Sequence, residues 1–365
     1  MTGPVPDNPY AVHVPGSRDL LPWLAPQPLD DHPLVPWAEE SHAGLWVDVD
    51  HAHERVRQFD QWLDRLPEVI LPNVDTGHLV VVTGPVGMGK TTLIHQCVHL
   101  ARQRLADYAR RAAAARGGPG VIRPPQPLVA MTAGYDNRDD RFSRDKRGQF
   151  AATEEINREL RDRVVDTLNG KLPAAPLANI RDQPDVYQAF LSLSTLLAEQ
   201  DALLLVIVPH MDWRDQRGGV RTDFLRTCLR HARSRIVLFV EVSHHDPHRA
   251  REVVEEFGAH PALTHLSLGS LTPEDTVKFS QSARGGHPDP DPPLSPHADA
   301  WVRSDVRQLR KRCFTLAEEQ RHRGAPVLVS PADLGEPALD LAAMARRPSS
   351  SVPAVPRQPG APQPS

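Results

Sequence analysis

Apolar residues in this chain form short unbroken runs that alternate with longer segments of helical spacing. The runs predict five strands, at residues 78–82, 128–132, 203–208, 236–242 and 264–268. The segments with helical spacing predict helices at 50–66, from 90 onward, near 152–168, near 184–199, around 222–234, after 246 and after 272. Strands that are separated by helices throughout predict an α/β fold with one parallel, doubly wound sheet flanked by helices.

Proline marks the ends of this pattern and one internal loop. There are 37 prolines among 365 residues, about twice the ordinary share. We predict a proline-rich arm (1–45), a core (46–284), a flexible loop (285–298), a small helical lid (299–346) and a disordered tail (347–365). In the lid, one apolar stripe predicts a helix at about 302–321, and a strand-like piece follows at 326–329. The stripe comprises Val302, Val306, Leu309, Cys313 and Leu316.

Charge and cysteine content exclude several classes of protein. The formal charge of −4 provides no general basic field for binding nucleic acid. The three cysteines are far apart in apolar helical patterns, so we expect buried thiols and no disulfide framework. The longest apolar run, 202–208, is far shorter than the roughly 20 residues of a membrane span. The first residues also lack a signal-peptide pattern. These features predict a cytoplasmic protein with no membrane partner.

A glycine-rich loop joins the first predicted strand to the helix that follows it. The loop reads Gly84-Pro85-Val86-Gly87-Met88-Gly89-Lys90-Thr91 and fits the pattern GxxxxGK[ST]. Its glycines allow main-chain N–H groups to surround phosphate oxygens at the positive end of a helix. Lys90 is predicted to reach the β- and γ-phosphates, and the Thr91 hydroxyl to hold Mg²⁺. We therefore predict ATP and Mg²⁺ as ligands, bound by these residues and Thr92.

The acidic residues that usually accompany such a loop are missing from their place. P-loop NTPases normally end a second apolar strand with an aspartate that supports Mg²⁺, often followed by a glutamate that activates water. Here the strand at 203–208 is followed by Pro209 and His210, and neither supplies a carboxylate. Asp212 is the one acid nearby. Two interpretations stay open, because Asp212 either caps the next loop or reaches the metal through a water molecule.

Together, these motifs resemble the AAA+ ATPases, and within them the origin-recognition and STAND-like branch. Residues 206–212 match the frame of that branch's acidic motif, with only the last acid, Asp212, kept. The resemblance implies a first sensor of the γ-phosphate at Ser243 or His244. It also implies a second sensor on the lid at Ser304-Asp305-Val306-Arg307, where Arg307 would contact nucleotide. Asp212 and His244 are thus the candidate catalytic residues, and Thr91 and Asp212 the candidate metal ligands.

The resemblance leaves three functions in view. The first is an ATP-binding switch with slow hydrolysis that controls a separate protein partner. The second is a working ATPase in which Asp212 and another acid replace the missing pair, and the third is a structural adaptor that docks through its proline-rich ends. If further copies of the chain assemble as in that family, the resemblance implies an arginine finger. Arg249 and Arg251 are near the helix that would carry it, although a surface arginine is the favoured interpretation of each. Because no winged helix follows the lid, DNA binding is not indicated within this chain.

Overall fold

The computed structural model describes most of the predicted core and lid. The described residues are 8–17, 32–66, 75–114, 124–139, 142, 144, 151–211, 218–243, 251–252, 254–282, 294–325 and 327–337. Five strands form one parallel sheet in the order β2-β3-β4-β1-β5. They are β1 (His78–Gly84), β2 (Gln126–Met131), β3 (Ala202–Ile207), β4 (Ile236–Ser243) and β5 (Leu263–Ser267). The predicted α/β fold class, a parallel sheet flanked by helices, is confirmed.

Helices connect the strands and cover both faces of the sheet. They are α1 (Ala52–Leu63), α2 (Lys90–Ala114), α3 (Thr153–Leu168), α4 (Ala174–Asp182), α5 (Val186–Glu199), α6 (Gly218–His231), α7 (Pro273–Gln281), α8 (Ala298–Trp301) and α9 (Val306–His322). The short helix α4 is absent from the sequence prediction. It buries only Leu177 and Ile180, so its apolar pattern is too brief to show helical spacing.

The strands alternate their side chains between two hydrophobic cores. On β1, Val80 and Val82 pack on the face that carries α1, α2 and the lid, whereas Leu79 and Val81 pack on the face that carries α3 to α6. All of these side chains are fully buried. This period of two is what a strand between two helical layers requires. The same alternation determines which side chains of the neighbouring strands lie on the face of the sheet that carries α2.

The predicted lid helix at 302–321 is wrong at its N-terminus. A short helix, α8, ends at Trp301 just before this region, and α9 begins at Val306 with Asp305 as its N-cap. The Asp305 carboxylate accepts a hydrogen bond from the main-chain N–H of Gln308 at 2.9 Å, which is the usual reason that aspartate starts a helix. Val302 therefore does not lie on α9, although Leu309 and Cys313 are buried as the stripe predicts.

The strand-like piece predicted at 326–329 is also wrong. Residues 327–330 have no regular secondary structure and lead into a short 3₁₀ helix at Pro331–Leu334, where Ser330 is the N-cap. Ser330 accepts a hydrogen bond from the main-chain N–H of Ala332 at 3.3 Å. The Ser-Pro pair is thus a helix start, which the apolar residues before it obscured.

Part of the N-terminal arm contacts the core. The Tyr10 hydroxyl donates a hydrogen bond to the main-chain oxygen of Ser280 on α7 at 2.8 Å. The Trp37 ring N–H donates to Nδ1 of His95 on α2 at 3.0 Å. In each contact the two residues are far apart in sequence, so these hydrogen bonds attach the arm to the surface of the domain.

The cysteine prediction is confirmed, because all three side chains are buried thiols. Of the helices that the structure describes, none combines the length and the apolar character needed to cross a bilayer.

Candidate functional site

The glycine loop lies between the end of β1 and the start of α2, as the sequence predicts. Gly87 and Gly89 have φ angles of +83° and +85°, which glycine adopts without the steric cost that a side chain brings. Among the described residues, none accepts a hydrogen bond from the main-chain N–H groups of residues 86–89. These donors therefore remain available to an anion at the N-terminus of α2.

Lys90 points back into the loop and is almost fully enclosed. Its side-chain ammonium donates a hydrogen bond to the main-chain oxygen of Pro85 at 2.6 Å. The same nitrogen lies 3.6 Å from Oε1 of Glu241, with both side chains buried. An isolated ammonium would be costly at such a site. The ion pair with Glu241 therefore keeps Lys90 in the loop.

Glu241 is a site residue that the sequence analysis missed. It lies on β4 opposite Val82 of β1, on the sheet face where Val237 and Phe239 contribute to the core. Its carboxylate accepts a hydrogen bond from the Thr91 hydroxyl at 2.8 Å. The sequence signal was an acid at a core-facing position of an otherwise apolar strand, which demands a buried partner.

The surroundings of Glu241 stabilise its charged form. Burial by itself raises the pKa of this carboxyl group. The Lys90 ammonium, the His210 ring and hydrogen bonds from Thr91 and Ser243 oppose burial and hold the pKa below its ordinary value. The Ser243 hydroxyl donates to the carboxylate at 3.3 Å. Glu241 is therefore an anion at neutral pH.

His210, directly after Pro209 at the end of β3, faces the same carboxylate. Its Nδ1 lies 3.6 Å from Oε1 of Glu241, beyond hydrogen-bond distance. Nδ1 is buried and has no hydrogen-bond partner among the described residues. An imidazole thus faces the Glu241 carboxylate from the end of β3.

The lid docks directly onto the loop. The main-chain N–H of Arg307 donates to the main-chain oxygen of Gly87 at 3.2 Å. The Asp305 carboxylate lies against Gly87, since a Cβ at that glycine would be only 2.5 Å from Oδ2. Burial lowers the pKa of Lys90, and the nearby Arg307 guanidinium acts in the same direction. Arg307 thus places a second cation near the phosphate loop.

The structure brings together most of the predicted cofactor-binding residues. Residues 84–92 form the loop and the first turn of α2, and the lid brings Arg307 to them. Thr92 accepts a hydrogen bond from the main-chain N–H of Leu34 in the arm at 3.3 Å. The two candidate catalytic residues, Asp212 and His244, lie outside the described residues, as does Arg249.

No protein-family model matches the chain, and no curated protein matches it. Distant likeness is found among solved structures. The Aeropyrum pernix ORC2 protein in its ADP form is 16% identical with a TM-score of 0.43, over 77% of this chain and 66% of that one. Drosophila ORC bound to GC-rich DNA and Cdc6 is 13% identical with a TM-score of 0.36, over 79% of this chain and 42% of that one. C. elegans PCH-2 is 13% identical with a TM-score of 0.34, over 84% of this chain and 63% of that one.

This chain therefore spans less than two thirds of the length of each of these structures. Likeness at this distance carries no ligand or activity to the chain. The chain's own features define the fold. A glycine loop of the GxxxxGK[ST] pattern connects the carboxyl end of β1 to α2 in a five-stranded parallel sheet, and a helical lid packs on this loop. The chain has the fold of a P-loop NTPase, a parallel sheet flanked by helices with a helical lid.

Proposed function

We propose that the chain binds ATP and acts as a nucleotide-dependent switch on a separate protein partner, with slow hydrolysis. The single observation that carries the proposal is the loop itself, which holds Lys90 buried at its centre and leaves the N–H groups of residues 86–89 to an anion. Residues 84–92 would bind the phosphates, and Arg307 would approach them from the lid. Assembly of several copies of the chain into an oligomer is a separate part of the proposal.

The contact between lid and loop supports the switch. Arg307 is linked to Gly87 through its main chain, and its side chain acts electrostatically on Lys90. A triphosphate bound beside Lys90 would add a charge-assisted contact to the Arg307 side chain. Such a contact favours the conformation with the lid docked, and a bound nucleotide shifts an equilibrium only through such a difference between states.

Slow hydrolysis follows from the end of β3. Pro209 offers no side-chain acceptor, and His210 supplies no carboxylate there. Losing a positioned general base typically costs roughly 10²–10⁴-fold in rate. Asp212, which the sequence analysis offered as a substitute, remains a hypothesis because it lies outside the described residues.

A working ATPase is the second candidate. The observation in its favour is the approach of His210 Nδ1 to within 3.6 Å of Glu241. A carboxylate beside an imidazole can help to orient the ring, as in other acid–base pairs. Phosphate release separates the two candidates, because the switch predicts at most slow turnover and the ATPase predicts rapid, Lys90-dependent turnover.

The proposal is tested by isothermal titration calorimetry with ATP. Replacing Lys90 with alanine removes one charge-assisted phosphate contact, so Lys90→Ala should weaken binding by about tenfold or more. Lys171→Ala is the matched control, since Lys171 also donates to a main-chain oxygen, that of Val129, but on the edge strand β2. Equal ATP affinity in the wild type and Lys90→Ala would contradict the proposed site.

A further inference from the structure

Glu241 combines three properties that a purely structural carboxylate does not need together. It is buried, it lies 3.6 Å from the Lys90 ammonium, and it accepts its shortest hydrogen bond from the hydroxyl of Thr91. In the loop pattern, that hydroxyl is the group that reaches Mg²⁺. The hydroxyl oxygen and a carboxylate oxygen lie 2.8 Å apart, so both face the same small volume beside Lys90.

This donor set fits Mg²⁺ delivered with a nucleotide. Mg²⁺ prefers oxygen ligands and usually takes one or two carboxylates, with phosphates and water completing its shell. In the part of the chain that the structure describes, no cluster of three or more His, Cys, Asp or Glu side chains is arranged to hold a metal alone. A single carboxylate and a hydroxyl therefore suit a metal that arrives with phosphate oxygens.

We propose that Glu241 on β4 is the carboxylate that supports Mg²⁺ at the phosphate loop, in place of the missing acid after β3. The inference rests on the proposed nucleotide site and assigns it a metal-positioning residue. It differs from the sequence-based hypothesis, which gave this role to Asp212.

The ion pair with Lys90 gives the proposal a second, opposite consequence. Without metal, Glu241 competes with phosphate for the Lys90 ammonium, 3.6 Å away, and its negative charge repels a triphosphate. With Mg²⁺ bound, the same negative charge would attract the cation and would so favour the nucleotide complex. Glu241 should therefore weaken metal-free ATP binding and strengthen Mg²⁺-dependent binding.

The test measures ATP affinity by calorimetry with Mg²⁺ and with EDTA, in the wild type and in Glu241→Gln. The amide keeps the shape and an oxygen acceptor for Thr91 but removes the charge. We expect the affinity ratio between the two conditions to fall about tenfold, the equivalent of one contact to a charged group. Metal-free affinity should rise in the variant. Mn²⁺ in place of Mg²⁺ provides a spectroscopic readout, since paramagnetic resonance should show weaker retention of Mn²⁺ in the ATP complex of Glu241→Gln.

Asp60→Asn is the matched control. Asp60 pairs with Arg104 on the same helix as Lys90, with Nε 2.8 Å from Oδ1, but about 20 Å further along α2. This control loses a carboxylate from an ion pair with α2 and should leave the affinity ratio unchanged. If Glu241→Gln fails to fold, Glu241→Asp retains the charge with a shorter side chain. Its ratio should then fall by less than tenfold while Mg²⁺ still strengthens binding.

The outcomes separate this inference from the proposed function. A wild type that binds ATP equally well with and without Mg²⁺ would overturn the role of Glu241 and leave the nucleotide site standing. An unchanged ratio in Glu241→Gln, or in Glu241→Asp where only that variant folds, would do the same and would make Glu241 a structural partner of Lys90. Failure of the wild type to bind ATP in either condition would overturn the proposed function and this inference with it.

Discussion

Gly87→Ala is expected to separate the lid from the phosphate loop. Gly87 has a φ of +83°, and an alanine Cβ there would lie 2.5 Å from Oδ2 and 2.7 Å from Oδ1 of Asp305. Atoms cannot remain that close, so the Asp305 carboxylate must move. This displacement should break the N-cap hydrogen bond of α9 and the main-chain hydrogen bond from Arg307 to Gly87.

The expected cost has two parts. A left-handed backbone costs a non-glycine residue about 1–2 kcal/mol. Loss of an N-cap costs about 1 kcal/mol, and loss of a main-chain hydrogen bond costs about 1 kcal/mol more. Gly87→Ala should therefore lower the free energy of unfolding by about 3–4 kcal/mol, of which about 2 kcal/mol reports the lid contact.

Gly89→Ala is the control for the backbone part alone. Gly89 has nearly the same φ, +85°, but a Cβ there meets no atom within 4 Å. We expect it to cost only about 1–2 kcal/mol. Urea unfolding followed by fluorescence measures both variants, with free energies obtained by linear extrapolation.

A double-mutant cycle with Asp305→Ala tests the cause. Removing the carboxylate makes room for the new Cβ, so the double variant should be about 2 kcal/mol more stable than the sum of the single changes predicts. Equal costs for Gly87→Ala and Gly89→Ala, together with additive single and double changes, would refute the docking of the lid through Asp305.

Two further predictions concern nucleotide discrimination and acid stability. Arg307→Ala should weaken ATP binding by about tenfold and ADP binding less, because the guanidinium is expected at the γ-phosphate. Replacing the exposed Arg303 with alanine is the control. Equal losses of affinity for ATP and ADP in Arg307→Ala would contradict the assignment. His95 is fully buried between Trp37 and Tyr135, and burial lowers its pKa from 6.5 to about 4. The unfolded chain takes up a proton as pH falls below 6.5, whereas the folded chain does so only near 4. As pH falls from 7 to 5, His95 should therefore lower the free energy of unfolding by about 2 kcal/mol. Urea unfolding at several pH values measures this loss, and the free energy of unfolding of His95→Gln should depend less on pH. The same pH dependence in the wild type and the variant would contradict the prediction.

The phosphate loop could be predicted because its information is local. Eight consecutive residues carry the pattern, and the strand before them and the helix after them have clear periods. The parallel sheet was equally accessible, since buried parallel strands are unbroken apolar runs. The predicted and observed ends of the strands differ by at most two residues, as at the end of β1, whereas some helix ends differ by three or four.

Glu241 could not be assigned in the same way. It is 150 residues from Thr91 in sequence, so no spacing rule connects them, and only the register of β4 against β1 brings them together. The start of α9 was missed for another reason. The apolar stripe extends through Val302, whereas the capping signal of Asp305 decides where the helix begins. Local capping chemistry prevailed there over periodicity.

The order of the strands explains why a carboxylate on β4 suits the loop. β4 pairs directly with β1, whereas β3 pairs with β4 on its far side, about 4.8 Å further from the loop strand. An acid on β4 therefore reaches Lys90 and Thr91 without any shift of backbone. In the proposed function, water would be activated from the end of β3, where His210 lies. Metal support and water activation are thus assigned to different strands. We expect a chain of this design to keep Mg²⁺-dependent nucleotide binding while its hydrolysis stays slow.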